Sequence, residues 1–554
     1  MADGKRNFLL ARGESLTTNI PAPGRVLERE APYTLAEARD RLAPMLSDAV
    51  AAFDSLPPRA CPNDETVASL ILNPEYVAKS YYPEALLRAF ELRAVGSHAA
   101  RIKPEKRSKG RVPVEKPTTE LYVAGSRRKF REMLNVLPSV AESGLAEMLP
   151  AVEQFAKIPA RRKIKPIGGG PNNVVTLEVV LHASEAKSNG FILEGFQAYV
   201  KSLGLKVDMD RRLHAGSLCF LSLKAPQSLI SEVAEFSFLR VVRQMPRLRL
   251  LEPILRGVTP SAGKAKLPAE AALDPQIRVA VFDGGLPPNS PIAPWVTHHE
   301  PSGIGRPLPR FVDHGLQVTS AVLFGHLDAN AVAARPYAHV DHFRVLDEHS
   351  GNDADLHDVL RRIRDVLDTS PKYDFINISL GPSLSIDDDD VHAWTAMLDE
   401  RLADGLAVAT VAAGNNGESD AASGLNRVQV PGDAVNPLSI GACDRTGAGW
   451  ARATYSAVGP GRSPGLVKPD LVAFGGSLAQ PFITLTADGR LVGVCGTSFA
   501  APYTLRTGLG VRAHFGSGLG ALALQALMVH GAEVGNHPQH EVGWGKLPEH
   551  LDDI

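Results

Sequence analysis

This 554-residue chain contains few cysteines and few aromatic residues, and its net charge is close to zero. The four cysteines have neither the spacing of a metal site nor that of a disulfide framework, so we expect buried thiols at Cys61, Cys219, Cys443 and Cys495. Aromatic residues make up only 6% of the chain. The net charge of −2 at pH 7 gives no overall attraction to nucleic acid or to a membrane surface.

Long apolar runs are also missing. No stretch approaches the about 20 consecutive apolar residues that a membrane span requires. The first twelve residues, MADGKRNFLLAR, carry charges but no apolar run, which predicts no signal peptide. Sparse cysteine fits a reducing compartment. We therefore expect a cytoplasmic protein without membrane contact.

The chain is too long for one hydrophobic core, and its first part, residues 1–165, has a mixed, mainly helical pattern of unknown role. Apolar residues recur at helical spacing over residues 36–53, where Pro44 is expected to kink or split the helix. The basic stretch 101–116 is interpreted as a solvated loop, with a nucleic-acid or acidic-partner patch as the alternative. Aromatic residues are not interleaved there, which argues against nucleic acid.

Residues 174–250 follow a regular β-α-β-β-α-β pattern, that of a ferredoxin-like α+β domain. Strands are predicted at 174–182, 205–211, 218–224 and 239–245, and helices at 184–203 and 226–236. Residues 251–275 contain Gly, Pro and Ala with few large apolar side chains, which predicts a linker. The last domain is expected over residues 276–554.

Four short motifs in the last domain carry chemistry. Asp283 ends the apolar run VAVFD, His314 lies in DHG, Asn415 in AAGNNG and Ser498 in GTSFAAP. A hydroxyl nucleophile needs a base, the base needs an orienting carboxylate, and the developing oxyanion needs a donor. Each of the four roles has a candidate in these motifs.

At these residues the chain resembles the subtilase family of serine peptidases, over about residues 277–550. The resemblance implies a subtilisin-like domain with a mainly parallel sheet flanked by helices. It also implies a nucleophile at Ser498, a base at His314, an orienting Asp283 and an oxyanion donor at Asn415. The implied substrate cleft is lined by Ser379, Leu380, Gly381, Ala412, Ala413 and Gly414.

The chain departs from the family pattern beside the site. Gly284 stands where the family often has Thr or Ser, so a hydroxyl that helps to hold the aspartate is lost. Leu316 and Gln317 replace the Thr and His that commonly follow His-Gly. We expect no metal or other cofactor in the reaction. The acidic run 387–390 is interpreted as favouring the start of a helix at 391–402, with a calcium loop as the alternative.

The expected function is an intracellular serine endopeptidase acting on protein or peptide substrates. Because subtilase propeptides are ferredoxin-like, we expect residues 174–250 to inhibit the peptidase in cis, with the segment from Met245 toward Gly257 lying along the cleft. The alternative is a pseudoprotease or peptide-binding scaffold whose N-terminal half senses partners. The resemblance to bacterial subtilases encoded beside an AAA ATPase implies such an ATPase as a partner.

Overall fold

The computed structural model describes residues 31–77, 82–139, 148–170, 173–249, 263–351, 355–369, 371–463 and 465–554. The chain divides into two compact units after Met245. The predicted linker 251–275 falls largely outside the described residues. The proposed borders at residues 165, 174, 250 and 276 therefore stay predictions.

The first unit begins with helices packed on an antiparallel sheet. The strands, in the order β2-β3-β1-β4, are β1 (Glu65–Leu72), β2 (Arg93–Ile102), β3 (Lys116–Ser126) and β4 (Val152–Lys157). The helices are α1 (Leu35–Asp54), α2 (Glu84–Ala89) and α3 (Arg127–Val136), while the short helix α4 (Ala160–Lys163), which follows β4, packs on the second sheet of this unit. Region 1–165 is thus mixed, and it contains a sheet that the helical pattern did not predict.

Helix α1 is stabilised by a capped N-terminus and by the burial of one apolar face. Thr34 and Glu37 make a capping box, in which each side chain accepts from the other residue's backbone N–H. The apolar face buries residues that include Leu42, Leu46 and Phe53. Pro44 was predicted to kink or split the helix; the helix runs unbroken through Pro44, which excludes the split. Burial of one continuous face outweighs the single hydrogen bond that proline removes.

The second sheet of this unit matches the predicted β-α-β-β-α-β pattern. Its strands, in the order β6-β7-β5-β8, are β5 (Val174–Leu181), β6 (Leu213–Ala215), β7 (Leu218–Pro226) and β8 (Leu239–Gln244). Its helices are α5 (Gly190–Ser202) and α6 (Ile230–Ala234). The strand predicted at 205–211 was misplaced, because residues 209–211 form a 3₁₀ turn and the short strand begins at Leu213.

The two sheets of the first unit share one topology. In both, the second and third strands pair, the third pairs with the first, and the first pairs with the fourth. In both, a helix follows the first strand and another follows the third. The first unit therefore holds two split β-α-β units, a repeat of fold that shows no repeat of sequence.

The second unit contains a seven-stranded parallel sheet flanked by helices. The strand order is β10-β11-β9-β12-β13-β14-β15, and every neighbouring pair is parallel. The strands are β9 (Val279–Asp283), β10 (Val296–His299), β11 (Val340–Arg344), β12 (Phe375–Ile378), β13 (Val408–Ala412), β14 (Leu438–Cys443) and β15 (Leu471–Phe474). Strands β16 (Phe482–Leu485) and β17 (Leu491–Val494) form a separate hairpin.

Helices cover this sheet because its central strands are buried along their whole length. They are α7 (Pro309–Phe324), α8 (Asp355–Leu367), α9 (Ala393–Arg401), α10 (Thr497–Phe515), α11 (Ala521–Gly531) and α12 (Gln539–Val542). Helix α10 packs against α7 and across the central strands. The predicted parallel-sheet fold is confirmed.

The structure also bears on the expectations for the cysteines and for membrane-spanning segments. All four cysteines are buried free thiols, as expected. Among the described residues, no helix is long and apolar enough to cross a membrane.

Candidate active site

Three of the candidate residues lie at the carboxyl ends of three adjacent strands. Asp283 is the last residue of β9, Ser379 follows β12 directly, and Asn415 lies three residues beyond β13. Strand β12 pairs with both β9 and β13 in parallel, so these ends meet at one edge of the sheet. Ligands of open α/β sheets bind at this edge.

Asp283 and His314 are joined by a hydrogen bond. Asp283 is fully buried, and its two carboxylate oxygens lie 2.8 and 3.0 Å from Nδ1 of His314, on helix α7. A carboxylate only accepts, so Nδ1 carries the proton and Nε2 is the acceptor of the neutral ring. Nε2 is buried and has no hydrogen-bond partner among the described residues. The ring is therefore oriented with its basic nitrogen available.

Gly284 compensates for its missing hydroxyl through its backbone. Its N–H donates to Oδ1 of Asp283 at 2.7 Å, so the carboxylate is still held from this position. A Cβ at Gly284 would lie 2.2 Å from the carbonyl oxygen of Phe311. Helix α7 approaches so closely that no side chain fits. The departure from the family pattern thus brings the histidine helix against the aspartate strand.

Ser498 lies at the second position of helix α10, and 8% of its surface is exposed. Its hydroxyl donates to the carbonyl oxygen of Ser379 at 3.2 Å. The ring of the next residue, Phe499, lies 6.0 Å from the ring of His314, so the histidine sits beside the start of this helix. In this state the hydroxyl is engaged by Ser379 and not by His314.

A second hydrogen bond joins Ser379 and Ser498, and the position of Pro502 explains it. In a helix, the N–H four residues after Ser498 would donate to its carbonyl, but proline has no N–H. The hydroxyl of Ser379 donates to that carbonyl instead, at 3.0 Å. Ser379 in turn accepts from Asn377, whose amide oxygen accepts from Thr410. A buried polar chain thus fixes the backbone of Ser498 from strands β12 and β13.

The side chain of Asn415 has a defined orientation. Its amide oxygen accepts from both the N–H and the hydroxyl of Thr497, each at 2.9 Å. Because an N–H needs an acceptor, this assigns the oxygen and leaves Nδ2 as a donor on the other side. Nδ2 lies 3.4 Å from where a Cβ of Gly496 would be. An N–H donor therefore lies beside the turn that precedes Ser498.

Two supporting residues were not found from the sequence. The buried hydroxyl of Tyr455 accepts from the N–H of Gly496 and donates to the carbonyls after β15, which secures a glycine with φ of 155°. Nε2 of His342 accepts from Gly285, and its Nδ1 lies 2.8 Å from the hydroxyl of Thr319. Burial lowers the pKa of His342 well below its usual value, so the ring is neutral. Neither residue lies in a recognisable motif.

The predicted cleft residues contribute mainly through their backbone. Leu380 is fully buried, so its side chain belongs to the core. The N–H of Gly414 donates to Thr497, and the carbonyl of Ala413 accepts from Gln429. Gly381 and Ala412 both contact a segment from the start of the second unit, residues 246–249.

Residues 246–249, which form the entry segment, run as an extra strand beside the residues that follow Ser379. Leu248 forms an antiparallel bridge with Pro382. The N–H of Arg249 donates to Gly381 at 2.9 Å, and Ser383 donates to the carbonyl of Arg247 at 2.7 Å. Only 8% of Leu248 and 9% of Arg249 is exposed. The remainder of the predicted cleft strand, residues 250–257, lies outside the described residues.

The acidic run 387–390 precedes helix α9, which begins at Ala393. Helix α9 is capped by His392, and Asp388 makes a two-pronged ion pair with Arg427. Among the described residues, no group of acidic, histidine or cysteine side chains could hold a metal ion.

Residues 278–545 match the model of the Subtilase family. The match lies within the second unit, whose parallel sheet flanked by helices agrees with the fold of that family. No curated protein matches the chain at a significant level.

Solved structures of subtilisin-like proteins are similar to the chain at low identity. Fervidolysin from Fervidobacterium pennivorans, a keratinolytic enzyme, is 16% identical with a TM-score of 0.48. That match covers 70% of this chain and 62% of fervidolysin, which is less than two thirds of its length. The epidermin leader peptide processing protease of Staphylococcus aureus is 16% identical over 69% of this chain and 98% of its own, with a TM-score of 0.45. The prenylagaramide maturation protease PagA is 21% identical over 51% of this chain and 94% of its own, with a TM-score of 0.39.

Proposed function

We propose that the protein is an endopeptidase in which Ser498, His314, Asp283 and Asn415 perform the chemistry. The observation that carries the proposal is the hydrogen bond from His314 to Asp283, which leaves Nε2 as the basic nitrogen beside the helix of Ser498. The serine hydroxyl rotates from Ser379 to Nε2 when substrate binds. Catalytic hydrogen bonds often tighten only in the substrate complex.

The reaction then follows from the roles of these groups. Oγ of Ser498 bonds to the peptide carbonyl carbon while its proton moves to Nε2 of His314. Nδ2 of Asn415 donates to the oxyanion that forms. When the C–N bond breaks, Nε2 returns the proton to the leaving amine. Water then hydrolyses the acyl-enzyme by the same proton path.

Hydrolysis of a fluorogenic peptide mixture by the full chain tests this mechanism. Ser498→Ala should abolish hydrolysis, and the exposed Ser517→Ala should not. Circular dichroism and thermal unfolding of both variants show that each is folded. Hydrolysis by Ser498→Ala at the wild-type rate would refute the assignment of the nucleophile.

We also propose that the entry segment restrains the enzyme. The support is its main-chain pairing with residues 381–383, the strand that follows Ser379, together with the burial of Leu248 and Arg249. A peptide substrate would use the same backbone groups, since strand addition needs few side-chain contacts. The entry segment follows the ferredoxin-like domain directly in sequence, as an inhibitory propeptide would.

Burial of Arg249 weakens the binding of the entry segment to the cleft. The guanidinium of Arg249 is buried, and burial lowers its pKa from 12.5 to about 10 because no carboxylate offsets the cost. A cation that loses solvation on entering the cleft regains it on leaving. The two hydrogen bonds from the guanidinium to main-chain carbonyls recover part of this cost, so the segment is held in the cleft and can still be displaced when the enzyme is activated.

Substitution of Leu248 tests the restraint in the full chain. Leu248→Asp places a charge in a buried position and should raise the rate of peptide hydrolysis. Arg247→Asp introduces the same side chain at the neighbouring exposed position and serves as the control. Equal rates for the two variants and the wild type would show that the segment does not block the cleft.

The cytoplasmic location and the AAA ATPase partner are further parts of the proposal. The four buried free thiols fit a reducing compartment. Cell fractionation tests the location. Affinity capture with Ser498→Ala as bait, with and without ATP, tests the ATPase.

A further inference from the structure

The side chain of Arg249 fills a pocket built from main-chain carbonyls. Its Nη1 donates to the carbonyl of Ala412, and its Nη2 to the carbonyl of Val430, each at 3.2 Å. These carbonyls come from two separate segments, the end of β13 and the loop before β14. The planar fork of a guanidinium can reach both at once.

Glycine at position 381 makes room for this side chain. A Cβ there would lie 2.6 Å from Nη2 of Arg249 and 2.6 Å from the carbonyl oxygen of Val430. Any larger residue at position 381 would therefore close the pocket. The same glycine accepts the backbone N–H of Arg249 at 2.9 Å. Gly381 thus binds the main chain of Arg249 and leaves space for its side chain.

The chemistry of the pocket separates arginine from other side chains. Carbonyl oxygens carry partial negative charge, so they favour a cation and disfavour a carboxylate. A hydrogen bond to a charged group is stronger than one between neutral groups, and an aliphatic side chain would forgo it. An ammonium is a compact point charge that lacks the guanidinium's flat fork. Among the described residues, no acidic side chain takes part in the pocket, so its attraction for a cation comes from main-chain carbonyls.

We propose that this pocket recognises arginine in protein substrates, and that Arg249 of the entry segment occupies it as an internal mimic. The proposal rests on the proposed function, because it treats the cleft as the substrate site. The substrate arginine is the residue whose N–H donates to Gly381. It therefore lies at one fixed position relative to the bond that Ser498 attacks.

A binding measurement tests the pocket without any need for activity. In the full chain, Arg249→Ala empties the pocket and keeps the main chain of the entry segment. Titration calorimetry with butylguanidine should then show binding at least about 10-fold tighter than with butylamine. The wild type and Arg247→Ala, in which Arg249 still fills the pocket, should bind neither. Equal binding of the two ligands by Arg249→Ala, or none, would overturn the proposal.

A cleavage measurement tests the preference itself. Leu248→Asp, in which the entry segment leaves the cleft and takes Arg249 out of the pocket, is incubated with a mixed peptide library, and the products are identified by mass spectrometry. Arginine should be enriched about 10-fold or more over leucine and glutamate at one fixed position in the cleaved peptides. Cleavage without this enrichment refutes arginine recognition and leaves the peptidase assignment intact. Absence of all cleavage, with no fluorophosphonate adduct on Ser498, refutes the proposed function; the butylguanidine titration then decides on the pocket alone.

Discussion

Ser379 and Ser498 hold each other by two hydrogen bonds that run in opposite directions. The hydroxyl of Ser379 donates to the carbonyl of Ser498 at 3.0 Å, and the hydroxyl of Ser498 donates to the carbonyl of Ser379 at 3.2 Å. The first bond replaces the one that Pro502 removes from helix α10. Ser498, the proposed nucleophile, is thus positioned by a residue of the neighbouring strand end.

Ser379→Ala should lower kcat and leave KM nearly unchanged. It removes one neutral hydrogen bond to the backbone of Ser498, worth about 1 kcal/mol, and so costs about 3- to 10-fold in rate. Steady-state kinetics on a peptide substrate measures the two constants. Thr410→Val, at the far end of the same polar chain, should have a smaller effect. A change in KM alone would mean that Ser379 binds substrate and does not position the nucleophile.

Asn415→Ala should reduce kcat by about 10²–10³ with little change in KM, because its amide donates mainly to the transition state. The neighbouring Asn416 is a matched control, since its side chain donates to the carbonyls of Leu425 and Arg427. Asn416→Ala should lower thermal stability while the folded fraction keeps its kcat. If the two substitutions had equal effects on kcat, Asn415 would have no special role.

Gly284→Ser restores the hydroxyl that the family often has, and it should inactivate this protein. The new Cβ would lie 2.2 Å from the carbonyl of Phe311, so helix α7 and His314 must move away from Asp283. We expect kcat to fall at least about 100-fold, with a lower melting temperature. Gly518→Ala, which meets no atom within 4 Å, is the control. Wild-type kinetics in Gly284→Ser would show that the close approach of α7 is unnecessary.

Lys163 should make the stability of the first unit depend on pH. It is buried, and burial lowers the pKa of its ammonium to about 7, while the unfolded value is near 10.5. Between these values the unfolded chain binds more protons, so the free energy of unfolding rises with pH, by at most about 1.4 kcal/mol per pH unit. The destabilisation is fully present below pH 7 and disappears as the pH approaches 10.5.

Lys163→Met should raise the stability of the first unit at pH 7 and flatten this rise. Hydrogen exchange of the β5 amides in urea, at pH 7 and pH 9, reports the local free energy of unfolding. Lys157→Met, on the partly exposed strand β4, should keep the slope. An unchanged slope in Lys163→Met would place the titration on another group.

The sequence predicted the parts of the site that depend on short motifs. Asp283, His314, Asn415 and Ser498 were identified because each chemical role demands a residue type within a characteristic local pattern. The parallel sheet was expected from the family resemblance, and the apolar run that ends at Asp283 agrees with it, because continuous apolar runs are typical of strands covered on both faces. Strand ends shifted by one or two residues, as with β7, predicted at 218–224 and observed over Leu218–Pro226, because pairing decides where a strand stops.

Features that depend on distant contacts were missed. His342 and Tyr455 support the site through single hydrogen bonds to glycines far away in sequence, which leave no local pattern. The sheet of β1–β4 was missed because no residue of β2 is fully buried, so this strand lacks an apolar period. The pocket for Arg249 is made of carbonyls, which every residue carries, so no side chain marks it.

The most direct test of the central claim is the mass of the intact full chain after reaction with a fluorophosphonate. The account predicts one adduct, located on Ser498 by peptide mapping, and none in Ser498→Ala. It also predicts faster labelling in Leu248→Asp than in the wild type or Arg247→Asp. An adduct on another serine, or no adduct in Leu248→Asp, would contradict the assignment of Ser498 as the nucleophile of a restrained serine protease.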